Sequence, residues 1–257
     1  VDSLFHEVIR HAALARTIEH IGGPRFWRQF ILLLRQLVPF DNALAIHFPA
    51  QGAPQALEEY DAAPAATASA LYLDGLYLLD PFYQAAHEGL ASGFYHLEEV
   101  APDHFRQSDY YLNYFQDHVL VDEVQYLLQV PGGVLSLSLG MSRAFDPAEL
   151  GKLALASAWV LALLGQHWTR AAIPDNPQPH VSDALARFGE GVLSERELEI
   201  VRLVLRGYSS KAMAQRLGIS PETIKAHRRH LYAKLDISSQ PELFSLFIRG
   251  LGFSEEG

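Results

Sequence analysis

The sequence contains no cysteine. That absence removes disulfide bonds, thiolate metal sites and cysteine nucleophiles, and it suits a reducing compartment. Long apolar runs are also missing. The most apolar stretch, Leu153–Leu164, covers twelve residues. A bilayer-spanning helix needs about 20, so this run reads as a buried or interface helix. The beginning, VDSLFHEVIRHAALARTIEHI, is charged every few residues and has no apolar core of the signal-peptide kind. A soluble, cytoplasmic protein without a membrane partner is expected. A G-x-S-x-G elbow is absent too, and His87, His96, His104 and His118 lack metal-ligand spacing. Neither an enzyme nor a bound cofactor is predicted.

What is present is distributed unevenly. The 257 residues are 49% apolar and 19% charged, normal for a globular chain of one or two domains, and the formal net charge is −10. Residues 1–175 hold 9 Lys+Arg against 20 Asp+Glu, whereas residues 196–234 hold 9 against 3. An acidic protein therefore carries one local basic face.

The sequence AAIPDNPQPH, residues 171–180, has three prolines in ten positions and no apolar period, which predicts a linker. Before it, Leu4–Ile21 and Arg25–Leu37 have helical periodicity, and Ala66–Leu79 suits a helix as well. Strand patterns occupy Asn42–Phe48 and Ala56–Tyr60, and Pro131-Gly132-Gly133 joins Val124–Val130 to Val134–Gly140 as a hairpin. Pro147–Arg170 reads as a long closing helix. Beyond the linker a short helix is expected over Val181–Phe188. Four compact helices follow, at Ser194–Arg206, Ser210–Leu217, Pro221–Leu235 and Gln240–Leu251. The fold class is α+β. It comprises an N-terminal α-β-α sandwich sensor domain with an antiparallel sheet (1–170), the Pro-rich linker (171–180), and a C-terminal four-helix helix-turn-helix domain (181–257).

The basic charge lies mostly in ISPETIKAHRRHLYAKL, residues 219–235. Gly218 can stop the preceding helix, Ser220 is a good N-cap, and Pro221 falls where its missing N–H costs nothing. At about 100° per residue, Ile224, Leu231 and Leu235 share one face, while Lys225, Ala226, Arg229 and Ala233 lie opposite. Small alanines between long cations let a helix enter a groove, and Arg229 is the candidate for reading a base edge. Thr223, His227, Arg228 and Lys234 complete the predicted DNA-contacting set; Thr223, His227, His230 and Lys234 lie toward the flanks, where phosphates are met. A basic outer face is also what a merely solvated helix shows. His227-x-x-His230 could begin a metal site, but no carboxylate or thiol completes it.

The signature Leu193, Arg196-Glu197, Gly207, Ala214, Leu217, Ile219-Ser220, Thr223-Ile224-Lys225, His227 and Lys234-Leu235 resembles the LuxR-type helix-turn-helix. The resemblance implies that Glu197 supports the scaffold, that Lys225, Ala226 and Arg229 face DNA, and that the last helix, with Leu243, Phe244, Phe247 and Leu251, joins a dimer. Upstream, Tyr72, Asp80-Pro81 and Tyr95 have spacing similar to that of the family's autoinducer-binding domains. There the Asp accepts a hydrogen bond from the ligand and aromatics wall it in. Tyr72, Tyr77, Asp80, Tyr83, Tyr95 and Ser136 are thus the predicted effector contacts. Read without the family, Asp80 also suits a turn or helix terminus, and the tyrosines suit an ordinary core. Ser136 and Ser138 share one strand face, fit for a pocket wall or for solvent. The family's tryptophans near this motif have no counterparts, since the chain's three are Trp27, Trp159 and Trp168. The expected effector is a small molecule other than a standard acyl-homoserine lactone.

A ligand-responsive transcription regulator follows, with double-stranded DNA, a small-molecule effector, a second copy of itself and RNA polymerase as partners. The alternative is a ligand-independent or heterodimerising protein that titrates another LuxR-type regulator.

Overall fold

The computed structural model describes residues 2–61, 72–116, 121–171, 188–189 and 191–250, with side chains from residue 8 onward. The sheet is the frame. Its strands are β1 (Asn42–Pro49), β2 (Gln55–Asp61), β3 (Gly93–His96), β4 (Asp122–Val130) and β5 (Gly133–Met141), in the spatial order β2-β1-β5-β4-β3 with every pairing antiparallel. The β4–β5 turn is tight because Val130 pairs with Gly133 across Pro131-Gly132, and Gly132 supplies a φ of +85°. Gly133 is needed for another reason: a Cβ there would lie 2.1 Å from the Phe48 carbonyl oxygen on the neighbouring strand.

One face of the sheet is covered by α1 (Asp2–Glu19), α2 (Phe26–Arg35) and, after α3 (Pro81–His87) and α4 (Leu97–Val100) on the other side, by α5 (Pro147–Arg170). Phe26, Phe30, Leu34, Leu153, Val160 and Leu164 from these helices meet Ala45, Val124, Leu135, Leu137 and Leu139 from the strands. The alternating leucines of β5 therefore fill this layer. A reciprocal capping box starts α5: Glu149 N–H donates to Asp146, Asp146 N–H donates to Glu149, and Pro147 takes the first position. Two hydrogen bonds from Arg143 hold the Glu149 carboxyl down at about 2. At 24 residues α5 outlasts its apolar run and is long and apolar enough to reach across a bilayer. Here its inner stripe lies on the sheet, and Leu155 on its outer side is 86% exposed.

The other face carries the 3-10 turn Leu76–Leu79, α3, α4 and an aromatic segment that ends in a π-helical turn, Tyr111–Phe115. In that turn the Gln116 N–H reaches back five residues to the Tyr111 carbonyl. Its core runs without a break into the C-terminal helices α6 (Glu195–Leu205), α7 (Ser210–Leu217), α8 (Pro221–Lys234) and α9 (Gln240–Gly250). A mixed domain of helices and antiparallel sheet is thus followed by a helical one. The expected linker at 171–180 and the helix at 181–188 fall almost wholly outside the described residues, as does the first half of the helix expected at Ala66–Leu79. In its described part the 3-10 turn Leu76–Leu79 is the last element. β3, four residues long, was not foreseen. As a short edge strand it has no inside-outside alternation, and all four of its residues are half-buried.

Candidate DNA-binding helix and sensor cavity

The turn between α7 and α8 follows from four residues. Ser209 caps α7 through the Ala212 N–H, and Gly218 ends it in the left-handed conformation at φ +65°. Ser220 then accepts from the Thr223 N–H at 3.1 Å, and Pro221 opens α8. Ile224 and Leu231 are fully buried, locking α8 onto the core of α6 and α7. That leaves Thr223, Lys225, Arg229, His230 and Ala233 exposed, with Ala226 and His227 half-buried beside them. Among the described residues no ion pair engages Lys225 or Arg229. Their charge is free to face outward.

Two of the predicted DNA contacts sit elsewhere. The Lys234 ammonium lies 2.7 Å from the Glu197 carboxylate. Burial alone would raise the Glu197 carboxyl, but Lys234 and the Ser194 donors override it and hold it at about 2. Lys234 thus answers a buried carboxylate while its own side chain stays 45% exposed. Arg228 turns inward along α8: its guanidinium donates to the Tyr232 hydroxyl at 3.0 Å and to Gln240 at 3.3 Å. The last helix also differs from expectation. Leu243, Phe244 and Phe247 are buried within the chain itself, so they are not free to join a second copy, and Leu251 lies outside the described residues.

A cavity of about 60 Å³ opens between the sheet and the aromatic segment. Asp80 sits at its wall and also caps α3, accepting from the Phe82 N–H at 2.8 Å and from the Tyr72 hydroxyl at 2.5 Å. Both readings of Asp80, helix terminus and pocket residue, hold together. From the strands come Ser136 and Ser138, paired across the ladder with Leu127 and Gln125. The inward polar face is connected: the Ser136 hydroxyl donates to Gln125 Oε1 at 2.6 Å, and Gln125 Nε2 donates to Glu123 Oε1 at 2.8 Å. Tyr110 and Tyr114 close the opposite side, their rings stacked 5.4 Å apart. Burial raises the Asp80 carboxyl to about 6 despite its hydrogen bonds. Glu123 is raised well above the usual carboxylate range, by burial and then by the neighbouring Asp80 charge.

Tyr72, Asp80 and Ser136 of the predicted effector contacts thus meet at this cavity, and Tyr77, Tyr83 and Tyr95 do not. Tyr77 points into the core against Tyr83 at 4.9 Å, with its hydroxyl unpaired. Tyr83 packs edge-on to Phe48, and Tyr95 on the edge strand donates to the Ala91 carbonyl. Glu123, Gln125 and Tyr114 went unread. A signal for the first two lay in Asp122-Glu123-Val124-Gln125, where period-two alternation puts Glu123 and Gln125 on one face of a strand that turns out to be buried on both.

The two regions touch through the segment between α4 and the π turn. The Asp103 carboxylate accepts from the Ser209 N–H at 3.1 Å and the Ser209 hydroxyl at 2.6 Å, at the start of α7. The His104 N–H donates to the Gly207 carbonyl at 3.1 Å, so closely that a Cβ on Gly207 would lie 2.9 Å from the Phe105 Cα. Arg216 pairs with Glu88 of the sheet domain. Asp109 accepts a hydrogen bond from Gln240, which in turn holds Arg228 on α8. Cavity wall and DNA face are thereby joined through Tyr110, Asp109, Gln240 and Arg228.

A capped helix-turn-helix with an outward basic face, attached to an α-β-α domain built around a cavity, defines a transcription regulator of the helix-turn-helix class. The chain belongs to the luxR family of bacterial regulatory proteins, whose profile matches residues 191–247. It is 33% identical over 187 residues to a "Putative HTH-type transcriptional regulator in exeN 3'region" of Aeromonas salmonicida, an alignment covering 67% of this chain and 94% of that protein. Its sheet domain is similar to the VqsR LBD domain from Pseudomonas aeruginosa, with a TM-score of 0.57 and 32% identity over 62% of this chain and 96% of that one. The helix-turn-helix alone is 48% identical over 52 residues to the "Oxygen regulatory protein NreC" of Staphylococcus haemolyticus, 20% of this chain and 24% of that protein.

Proposed function

We propose that this LuxR-type regulator changes its DNA affinity when a small molecule other than a standard acyl-homoserine lactone enters the sheet-domain cavity, and that it acts in the cytoplasm as a homodimer. The observation that carries this reading is the outward, unpaired charge of Lys225 and Arg229 on a helix whose other side is locked by Ile224 and Leu231. Arg229 reads a base edge in the major groove, and Lys225 with Thr223 and His227 fixes the register on the backbone. Two copies set their α8 helices about one DNA turn, roughly 34 Å, apart. The exposed side of α5, with Leu155 among Ala154, Ala158 and Ala162, supports a contact between copies. Effector binding moves Tyr110 and Tyr114, and the strain passes through Asp109 to Gln240 and through Asp103 to Ser209. RNA polymerase is the partner that reads the outcome. No catalytic step is assigned to either domain.

The test is selection of binding sites from a random duplex pool with the purified full chain. The expected result is a sequence with two related half-sites, whose affinity falls steeply with salt because several phosphates are neutralised. An unenriched pool, or enrichment unaffected by Arg229→Ala, overturns the assignment of α8 as the reader.

A further inference from the structure

The cavity has a charge imbalance that the regulator reading does not use. Asp80 and Glu123 are each 5% exposed at its wall, and Glu59 and Asp61 of β2 lie at its exposed edge. Among the described residues, no Lys, Arg or His lines it. Among the described residues the donors that reach the two buried carboxylates are neutral: the Tyr72 hydroxyl and the Phe82 and Tyr83 N–H groups for Asp80, the Gln125 amide and the Ser138 hydroxyl for Glu123. Burial raises both carboxyls, and the nearby Asp80 charge raises Glu123 further, so the pair holds on to a proton. Each carboxylate also has acceptor capacity beyond the donors it already meets.

The second observation is the aromatic wall. Tyr72, Tyr110, Tyr114 and Phe48 surround the same space, with Tyr72 and Tyr114 6.4 Å apart and nearly parallel. Ring faces attract organic cations and give nothing comparable to an anion. A hard metal ion needs a shell of oxygen ligands instead, and among the described residues no His/Cys/Asp/Glu group could hold a metal.

We propose that the effector carries a compact organic cation, an amine, quaternary ammonium or guanidinium group, seated between the Asp80 and Glu123 carboxylates and against the tyrosine rings. The proposal rests on the reading of this domain as the sensor. The cation takes the place of the proton that the Asp80–Glu123 pair retains, so binding releases protons near pH 6. The volume of about 60 Å³ suits a head group of this size, with any longer part of the molecule leaving toward β2.

The experiment is thermal unfolding of the full chain with agmatine, putrescine and choline as cationic probes and an octanoyl-homoserine lactone as the neutral amide. At least one cationic probe should raise the Tm. Calorimetric titration in two buffers of different ionisation heat should then show proton release. Glu123→Gln, isosteric and uncharged, should weaken that binding about 30-fold or more while leaving the empty protein at least as heat-stable as the parent. A rise in Tm with the lactone and with none of the cations overturns the cationic effector and leaves a sensor for neutral ligands. No rise with any probe also overturns it, while selection of DNA sites tests the regulator reading separately. A lower Tm for empty Glu123→Gln would make Glu123 structural and overturn its role in binding.

Discussion

The cavity and the DNA-facing helix handle charge in opposite ways. On α8, Lys225 and Arg229 stand four residues apart, exposed and in no ion pair among the described residues, so their charge acts outward at little desolvation cost. In the cavity, Asp80 and Glu123 come from distant parts of the chain, are buried, and lean on neutral donors. Exposed charge can wait for its partner in water. Buried charge of one sign is costly without a partner.

The strongest way to break this contrast is to collapse the sheet that holds one side of it. Gly133→Ala drives a Cβ against the Phe48 carbonyl, and a loss of about 3 kcal/mol is expected in denaturant unfolding. Next, Arg229→Ala should cost about 1–3 kcal/mol at one base pair, read as relaxed preference there in a competition against single-base variants. Lys234→Ala provides the counterpoint. Because Lys234 answers the buried Glu197, the variant should lose about 1 kcal/mol of stability, and the salt dependence of DNA binding should not change.

A subtler measure is pH. The Asp80 carboxyl rises from 3.8 to about 6 on folding and Glu123 rises with it, so their contribution is full below pH 4 and fades as pH climbs through 6. Other groups work in the opposite sense, since Glu149 and Glu197 are held at about 2 and burial lowers His167 to about 4. Comparing Glu123→Gln with the parent cancels these. The Tm advantage of the variant should widen as pH climbs above about 4.5, since only the parent then loses the benefit of a carboxyl that folding holds protonated. The smallest effect belongs to Asp103→Asn. Its carboxylate occupies the start of α7, where a helix N-terminus can receive a DNA phosphate, and removing the charge should tighten DNA binding about 2–5-fold in anisotropy titrations.

What could be read from sequence follows the same division. The helix-turn-helix was legible because capping, glycine stop and helical period are local: Gly218, Ser220 and Pro221 act within a few residues of themselves. The Pro131-Gly132 hairpin and the leucine face of β5 were legible for that reason too. The partners of Lys234 and Arg228 were not legible, because a helical wheel gives direction and not partners; Glu197 and Gln240 lie on other helices. The cavity was read in part. Asp80 and Tyr72 stand eight residues apart and could be seen together, whereas Glu123 enters only through strand pairing that no local spacing reveals.

The π-helical turn at Tyr111–Phe115 adds a consequence on a longer timescale. A turn that spends an extra residue is an insertion in miniature, and it sits where Tyr110 and Tyr114 face the cavity. Deleting one residue there would restore ordinary helical pitch and swing one of these rings by about 100°. An aromatic wall that a single codon can add or withdraw lets a lineage change what its sensor recognises and leave the DNA-reading end untouched.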